Sequence, residues 1–278
     1  LCDQYGPACY GVLSPQAYPV LRTVGRRFLN VIGSPNHLHS GICALQRRAS
    51  KTVTIGGAVC PPAQLDKTRL LVVWGANPEN SAVNQGAVRG RLDALAGGTT
   101  VVDIRPLMDP LASKADIWLP VRPGTDGALA LGMAKIIIEN GWADMEFIKK
   151  YTHGYEQYAQ YVKQFGLEKV ASICGLDPAG IMEATRIFAT NGPAAINQSA
   201  STMVHFINGF QAFRAILCLS ALTGNFDQPG GNFPNPPTYL HKPAGFKTRE
   251  HEFYTCKKPE GQQRIAEGKF PVWDLMCD

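Results

Sequence analysis

Three short apolar runs in the middle of the chain have the pattern of strands from a buried parallel sheet. The runs Leu70–Trp74, 99–102 and 117–120 consist mainly of Leu, Val, Ile, Thr and Trp, without polar residues at alternate positions. Strands covered by helices on both faces show such continuous apolar runs. The stretch 128–139 is apolar on all sides over the length of a helix, which predicts a helix buried against the sheet. Together these elements predict an α/β fold with a Rossmann-like parallel sheet flanked by helices.

The same pattern predicts three further elements. The apolar residues of 19–32 fall on one face of a helix. Asp177 is a favoured N-cap residue, and Pro178 after it suits the first helical position, which predicts a helix that continues through Phe188. The run 194–197 predicts another strand.

Polar residues follow the first three strands at the edge where open parallel sheets bind ligands. The first strand leads into Gly75-Ala76-Asn77-Pro78, the second into Asp103 and Arg105, and the third into a turn that ends at Asp126. A carboxylate can accept two parallel hydrogen bonds, such as those from N1 and N2 of guanine, and a guanidinium suits a phosphate or the face of a base. An Asp after a strand is also a common turn former or helix cap. The ordered set therefore indicates a nucleotide-binding edge more strongly than any one residue does.

Composition narrows the classes of function. The chain has 278 residues, 45% of them hydrophobic, and a formal net charge of +5. This length predicts about two domains. No basic run is interleaved with aromatic residues and no apolar run reaches transmembrane length, so we expect neither nucleic-acid binding nor a direct membrane span. The eight cysteines include no Cys-x-x-Cys pair, which argues against zinc-finger and ordinary iron-sulfur motifs within these residues.

Short motifs along most of the chain occur in a characteristic order. Besides the residues at the sheet edge, they are Tyr5-Gly6-Pro7, Gly33-Ser34-Pro35-Asn36, Ala115–Pro120, Ala128–Met133, Ile207-Asn208-Gly209, and Leu222–Phe226 with Pro229-Gly230-Gly231. This series resembles the molybdopterin oxidoreductases of the dimethyl sulfoxide reductase superfamily. The segment from Asn36 to Cys43 is similar to the segment that leads to the metal-ligating cysteine in the Cys-ligated members, including the acetylene hydratase-like branch.

The resemblance implies a cofactor, bis(molybdopterin guanine dinucleotide) with Mo or W, of which this chain would bind one dinucleotide. The positions that match the family's motifs imply a set of cofactor-binding residues. They are Trp74, Gly75, Asn77, Glu79, Ser81, Asp103, Ile104, Arg105, Gly124, Thr125 and Asp126.

Two further residues are candidates for the chemistry itself. Cys43 occupies the family's position for a catalytic metal ligand, in a loop before the first dinucleotide strand, and a thiolate is a suitable soft ligand for Mo or W. The alternative for Cys43 is a buried structural thiol. His205 is a candidate catalytic residue that would touch the pterin or the substrate pocket, and a hydrogen-bonded structural histidine is an equal alternative.

The resemblance also divides the chain into three segments. Residues 1–45 would begin an α/β domain that includes the metal-ligand loop, and 46–228 would form the Rossmann-like dinucleotide domain. Residues 229–278 would return as an irregular segment to the first domain, so parts of a second α/β domain are expected at both ends.

We expect the chain to be an internal piece of a longer protein, because it begins without Met and relatives carry further domains. The missing part would contain an iron-sulfur cluster, and an iron-sulfur electron-transfer subunit would be a partner. The protein would lie in a prokaryotic cytoplasm or periplasm, and any membrane association would be through that partner. It would take part in anaerobic respiration.

The substrate would be a small molecule: an oxyanion, a sulfur compound, an aromatic hydroxyl compound or an alkyne. Ala44 follows Cys43 where formate dehydrogenases have His, which argues against formate oxidation. One alternative is a non-catalytic electron-transfer or scaffold subunit of the same fold, as in the large peripheral subunit of respiratory complex I. Retention of Cys43, Asp103, Arg105 and Asp126 argues against it. A second alternative is an ordinary NAD enzyme, which the absence of a Gly-x-Gly-x-x-Gly fingerprint disfavours.

Overall fold

The computed structural model of the chain describes residues 1–14, 19–39, 41–56, 64–77, 85–110, 112–199 and 205–233. The chain divides into two units, one that includes Leu1–Ala44 and one within Leu45–Pro236. Each unit contains a parallel sheet of its own.

The first unit is built around a two-stranded parallel sheet. Its elements are α1 (Cys2–Tyr5), β1 (Gly11–Ser14), α2 (Pro19–Ile32) and β2 (Asn36–His39). The buried Asn36 side chain donates to the carbonyl of Ala8 at 2.7 Å, and the Ser34 hydroxyl donates to the carbonyl of Tyr10 at 2.6 Å. These bonds tie the start of β2 to the segment before β1. The helix predicted over 19–32 is confirmed, whereas the two short strands carry no long apolar run and were not predicted.

The second unit contains the predicted parallel sheet with helices around it. Its strands are β3 (Leu70–Trp74), β4 (Thr100–Ile104), β5 (Ile117–Leu119) and β6 (Ala194–Gln198). Its helices are α4 (Gln85–Ala96), α5 (Asp126–Glu139), α6 (Met145–Tyr151), α7 (Tyr155–Val162), α8 (Leu167–Cys174), α9 (Pro178–Thr190) and α10 (Gly209–Leu222), and α3 (Gly41–Ile55) leads into it from the first unit. The α/β prediction is confirmed.

Strand β3 explains why the apolar runs do not alternate. All five of its residues are buried, with Leu70, Val72 and Trp74 in one apolar cluster and Leu71 and Val73 in the other. The larger cluster also contains residues of α5, α8, α9 and α10, so these helices contribute to the core on one face of the sheet. A strand between two apolar layers needs apolar residues at every position.

The order of the strands places a ligand crevice at one edge of the sheet. The strands are all parallel and lie in the order β5-β4-β3-β6. The chain therefore moves from β3 outward to β4 and β5, and then crosses to the other side of β3 to form β6. Ligands of such sheets bind beyond the carboxyl ends of the strands at the point where this direction reverses. Here that point lies between β3 and β6.

Asn225, in the Leu222–Phe226 motif, and Asn232, directly after Pro229-Gly230-Gly231, brace the outer side of β6. The Asn232 side chain accepts from the Ile196 amide at 2.8 Å and donates to its carbonyl at 3.1 Å. The Asn225 side chain accepts from the Ala194 amide at 2.9 Å. Two side chains thus supply hydrogen bonds that a further strand would otherwise make, which protects an edge strand.

Two expectations about element boundaries change in the structure, and a third is not tested beyond residue 233. Strand β4 ends at Ile104, so Asp103 lies inside it rather than after it, because the ladder with β3 pairs Val73 with Asp103. Helix α3 begins at Gly41, so Cys43 lies in its first turn and not in a loop, since no helix breaker stands between Gly41 and Ala44. Of the expected return segment 229–278, the part from 234 on lies outside the described residues.

Candidate nucleotide site at the carboxyl edge of the sheet

Backbone hydrogen bonds join the carboxyl ends of three strands at the crevice. The Gly75 amide donates to the carbonyl of Ile104 at 2.9 Å, which links the end of β3 to the end of β4. The Ser199 amide donates to the carbonyl of Trp74 at 2.9 Å, which links β6 to β3. Gly75 has a φ of 62°, and the half-buried Asn77 follows it. The turn after β3 is therefore anchored to both neighbouring strands.

Asp126 is buried at the start of α5 and is held by the last residue of β3. The Trp74 indole Nε1 donates to Asp126 Oδ1 at 2.9 Å, and both residues are buried. Burial raises the pKa of Asp126, and the hydrogen bonds from Trp74 and from backbone amides oppose that rise only in part. The bond explains why Trp74 stands at the end of an otherwise aliphatic strand, since a buried indole N–H needs an acceptor. It also fixes the direction in which this carboxyl group points.

Asp103 and Arg105 form a buried ion pair that a second carboxylate extends. The Arg105 Nε donates to Asp103 Oδ1 at 2.6 Å, and Nη2 donates to the other oxygen of the same carboxylate. Arg105 Nη1 donates to Asp109 Oδ2 at 2.6 Å. Asp109 Oδ1 in turn accepts from the Ala112 amide at 3.0 Å. These contacts place two carboxylates around one guanidinium.

The turn before Asp126 is fixed by its own hydrogen bonds and by a ring. The Thr125 amide and hydroxyl both donate to the carbonyl of Arg122, at 3.2 and 2.7 Å. Gly124 has a φ of 85°, and an added Cβ would lie 3.2 Å from the ring of Phe206, so a side chain here would strain the backbone and displace the ring slightly. His205, next to Phe206, is exposed in the turn before α10.

The structure brings most of the predicted cofactor residues to one edge of the second unit. Ile104 differs from the others, because its side chain is buried in the apolar core and only its backbone faces the turn after β3. Glu79 and Ser81 lie outside the described residues. Cys43 is placed by its backbone in α3, and its side chain is outside the description. The roles of the individual residues stay predictions.

Three residues of this edge were not anticipated from the sequence. Asp109 holds the second side of Arg105, and the Trp118 indole donates to the Arg105 carbonyl at 3.0 Å. Ser199 joins β6 to β3. The spacing of Arg105 and Asp109 was a usable signal, since oppositely charged residues four apart can pair in a turn. The place of Ser199 had no local signal, because it depends on β6 lying beside β3.

Within the described ranges, no group of three or more His, Cys, Asp or Glu side chains could hold a metal ion. The same ranges contain no helix that is both long and apolar enough to span a membrane.

A family model described as "Molybdopterin oxidoreductase" matches residues 10–277. Acetylene hydratase of Syntrophotalea acetylenica is 33% identical over 228 residues, which is 80% of this chain and 30% of that protein. Dimethyl sulfoxide reductase DmsA of Escherichia coli is 28% identical over 253 residues, 82% of this chain and 31% of that protein. The arsenate respiratory reductase molybdopterin-containing subunit ArrA of Chrysiogenes arsenatis is 30% identical over 225 residues, 72% of this chain and 26% of that protein.

The fold also matches a solved structure. Acetylene hydratase from Pelobacter acetylenicus aligns with a TM-score of 0.69 at 30% identity, over 84% of this chain and 32% of that one. The chain thus spans about a third of the length of the proteins it matches.

Proposed function

Because the chain belongs to the molybdopterin oxidoreductase family, we propose that its second unit binds one pterin guanine dinucleotide at the carboxyl edge of the four-stranded sheet. The family implies a molybdopterin cofactor with Mo or W, and the proposal concerns its guanine dinucleotide form. The observation that carries it is the buried Asp126 carboxyl group, held by Trp74 at the edge where the sheet topology predicts a ligand.

The edge fits the nucleoside end of such a ligand. Guanine presents N–H donors on N1 and N2, and a carboxylate oxygen that already accepts one hydrogen bond can accept another. Asp126 is buried with a raised pKa, so a further donor would stabilise its charged form. Asp103 and Asp109 add carboxylate oxygens near Asp126, and such oxygens suit donor groups such as an amine or a ribose hydroxyl. In this proposal Arg105 neutralises Asp103 and does not serve as the phosphate ligand that its sequence position suggested.

The strand order suggests where the remaining parts of the dinucleotide would lie. The diphosphate would lie over the turn that begins at Gly75, because Gly75 and Asn77 follow the central strand at the reversal point. The guanosine would extend toward β4 and β5, where Asp103 and Asp126 stand. The pterin would extend in the opposite direction, past the end of β6.

When bound, the cofactor supplies the oxidation-reduction or hydration chemistry, and the protein sets its orientation and electrostatics. In this proposal Trp74 orients Asp126, Gly124 and Thr125 shape the turn before it, and Cys43 is the protein ligand of the metal. His205, exposed at the same edge, would hold or move a proton near the substrate.

The identity of the substrate is a proposal at the level of chemical class. The names of the relatives include a hydratase of acetylene and reductases of dimethyl sulfoxide and arsenate. We therefore expect a small alkyne, sulfur compound or oxyanion, and keep an aromatic hydroxyl compound as a further class. Members of this family often work with iron-sulfur subunits, and we propose such a partner for the full-length protein.

The test is cofactor retention by the full-length protein purified without air. Mo, W and Fe are measured by elemental analysis, and GMP is measured after acid hydrolysis of the bound dinucleotide. Asp126→Asn keeps an oxygen for Trp74 but turns one acceptor into a donor that opposes guanine. Loss of a hydrogen bond to a charged group weakens binding by about tenfold to a hundredfold, so this variant should retain less GMP than wild type.

Asp93→Asn, in an exposed ion pair with Arg89, is the control and should retain as much GMP as wild type. Equal GMP in Asp126→Asn and wild type would refute the role of Asp126. Iron without Mo or W in the wild-type protein would support the electron-transfer or scaffold alternative. The similar proteins named above do not favour that alternative.

A further inference from the structure

We propose that Arg122 is a positioning residue for Asp126 and acts by joining the turn before Asp126 to the C-terminus of α8. The inference rests on the proposed function of Asp126 as a ligand of the dinucleotide. It concerns an exposed arginine whose guanidinium and backbone amide donate to the end of α8.

Arg122 satisfies the last carbonyl groups of α8. The final carbonyls of a helix have no partners within the helix. Arg122 Nη1 donates to the carbonyl of Ile173 at 3.0 Å, and the Arg122 amide donates to the carbonyl of Cys174 at 2.9 Å. Gly175 ends the helix in the left-handed conformation, and its Cα lies against the guanidinium, since an added Cβ would be 3.3 Å from Nη2. A cation at this position is also favoured by the negative end of the helix dipole.

The same helix end contacts the other end of the turn. The Cys174 thiol lies 3.7 Å from the carbonyl oxygen of Thr125, the residue directly before Asp126. Thr125 is itself bonded to the carbonyl of Arg122 through its amide and its hydroxyl. Helix α8 therefore holds both Arg122 and Thr125, and the short turn between them has little freedom to move.

Helix α8 is in turn fixed against the helix that Asp126 begins. The two helices approach so closely at Gly132 and Val170 that a Cβ on Gly132 would lie 2.8 Å from Val170 Cγ2. Asp126 is thus located from two directions, by α5 and by the turn that Arg122 anchors. Trp74 belongs to the sheet, so its position does not depend on the turn, and its distance from Asp126 reports any shift of that turn. If the turn shifts, the hydrogen bond between the indole and the carboxyl group lengthens.

A direct role for Arg122 makes a different prediction. As a ligand of the cofactor's phosphates, Arg122 would influence dinucleotide binding without changing the contact between Trp74 and Asp126. As a positioning residue it changes that contact even when no dinucleotide is bound. The Trp74 indole N–H resonance distinguishes the two roles, because its chemical shift depends on the hydrogen bond to Asp126.

The experiment uses the full-length protein labelled with ¹⁵N-tryptophan, with and without its cofactor, and assigns the Trp74 indole signal with Trp74→Phe. Arg122→Gln removes the donor to Ile173, whereas Arg122→Lys keeps a cation at the helix end. Arg186→Gln, in the exposed pair with Glu183, is the matched control. We expect the indole signal of Arg122→Gln to move upfield and that of Arg122→Lys to stay near wild type. Bound GMP should fall about threefold to tenfold in Arg122→Gln, the worth of one hydrogen bond.

Each outcome decides between the roles. An upfield shift in Arg122→Gln and its recovery in Arg122→Lys support the inference, even if the wild-type protein proves to contain no guanine nucleotide and the proposed function fails. An unchanged indole signal overturns it, and if GMP is then lost, Arg122 is a direct ligand. If Arg122→Gln fails to fold, Arg122→Lys tests the positioning role instead. A displaced Trp74 indole signal in that folded variant would contradict positioning by a cation at the end of α8.

Discussion

The Asp103 and Asp126 carboxyl groups have different surroundings although both lie at the same edge of the sheet. Asp103 meets a guanidinium that binds both of its oxygens. Asp126 meets a neutral indole, so burial is the largest influence on its pKa and raises it. Burial therefore opposes the ionisation of Asp126 in the folded chain, and a bound donor group would reduce that cost.

Asp126→Asn should change how thermal stability depends on pH. The folded protein holds the Asp126 proton more tightly than the unfolded chain, in which the pKa is near its ordinary value of 3.8. The stability that this proton contributes is complete below about pH 4 and is lost as the pH rises through the raised pKa. The Tm of the variant minus that of wild type should thus increase with pH and then level off.

Calorimetry of the full-length protein without cofactor, from pH 4 upward, measures this difference. Asp93→Asn provides the baseline, since Asp93 lies in an exposed pair. A difference for Asp126→Asn that stays flat or decreases with rising pH would show that burial does not raise this pKa.

Asp109 offers a second test at the scale of one residue. Asp109→Asn keeps an oxygen for the Ala112 amide but removes the charge that faces Arg105, in a pair whose side chains are 5% and 13% exposed. Breaking a charged hydrogen bond of this kind costs about 1.5–3 kcal/mol. The pair of Arg89 and Asp93 has the same spacing, but its side chains are 77% and 57% exposed.

Thermal unfolding of both variants separates burial from spacing. We expect a clear decrease in Tm for Asp109→Asn and no measurable change for Asp93→Asn, because exposed pairs are screened by water. Equal changes in Tm for the two variants would mean that burial of the ion pair between Arg105 and Asp109 adds nothing to stability.

At the scale of elements, the bracing of β6 depends on a turn that only glycine can form. Gly230 has a φ of 87°, and an added Cβ would lie 2.5 Å from the carbonyl oxygen of Lys67. The Gly230 carbonyl accepts from the hydroxyl of Thr68, two residues before β3, at 2.8 Å. The turn therefore joins the start of the central strand to the residues that cover the edge of β6.

Gly230→Ala should destabilise the protein by about 2–4 kcal/mol, because the new methyl group meets backbone and the conformation is strained. Gly166→Ala is the matched control, since a Cβ there would contact nothing within 4 Å. The measurement is the Tm of each variant in the full-length protein. If the Tm of Gly166→Ala decreases as much as that of Gly230→Ala, the turn at Gly230 has no special role in stability.

At the scale of the whole molecule, the chain belongs to the molybdopterin oxidoreductase family but spans about a third of its relatives' length. The proposed metal ligand Cys43 and the proposed dinucleotide edge belong to different units. Their cooperation is therefore a property to test in the full-length protein.

Cys43→Ala should abolish turnover while leaving the fold and the bound GMP unchanged. X-ray absorption at the Mo or W edge should show fewer sulfur neighbours around the metal, because the thiolate would be a direct ligand. Cys9→Ala removes an exposed thiol and serves as the control. Wild-type turnover or an unchanged number of sulfur neighbours in Cys43→Ala would exclude Cys43 as the ligand.

The sequence by itself determined the class of the fold and those elements that have a strong local pattern. Strand β3, helix α5 and the N-cap at Asp177 have local causes, namely continuous apolar runs and a capping residue before proline, and these act whatever the rest of the chain does. The collinear motifs likewise sufficed to predict the family, which the comparisons confirm.

Only the tertiary structure decided which side chains meet. The place of β6 beside β3, the bond between Trp74 and Asp126, and the attachment of Arg122 to α8 join residues about 50 or more positions apart. Such contacts depend on strand order and helix packing, which leave no periodic signal in the neighbouring sequence. The raised pKa of Asp126 follows from the same packing, because burial is its largest cause.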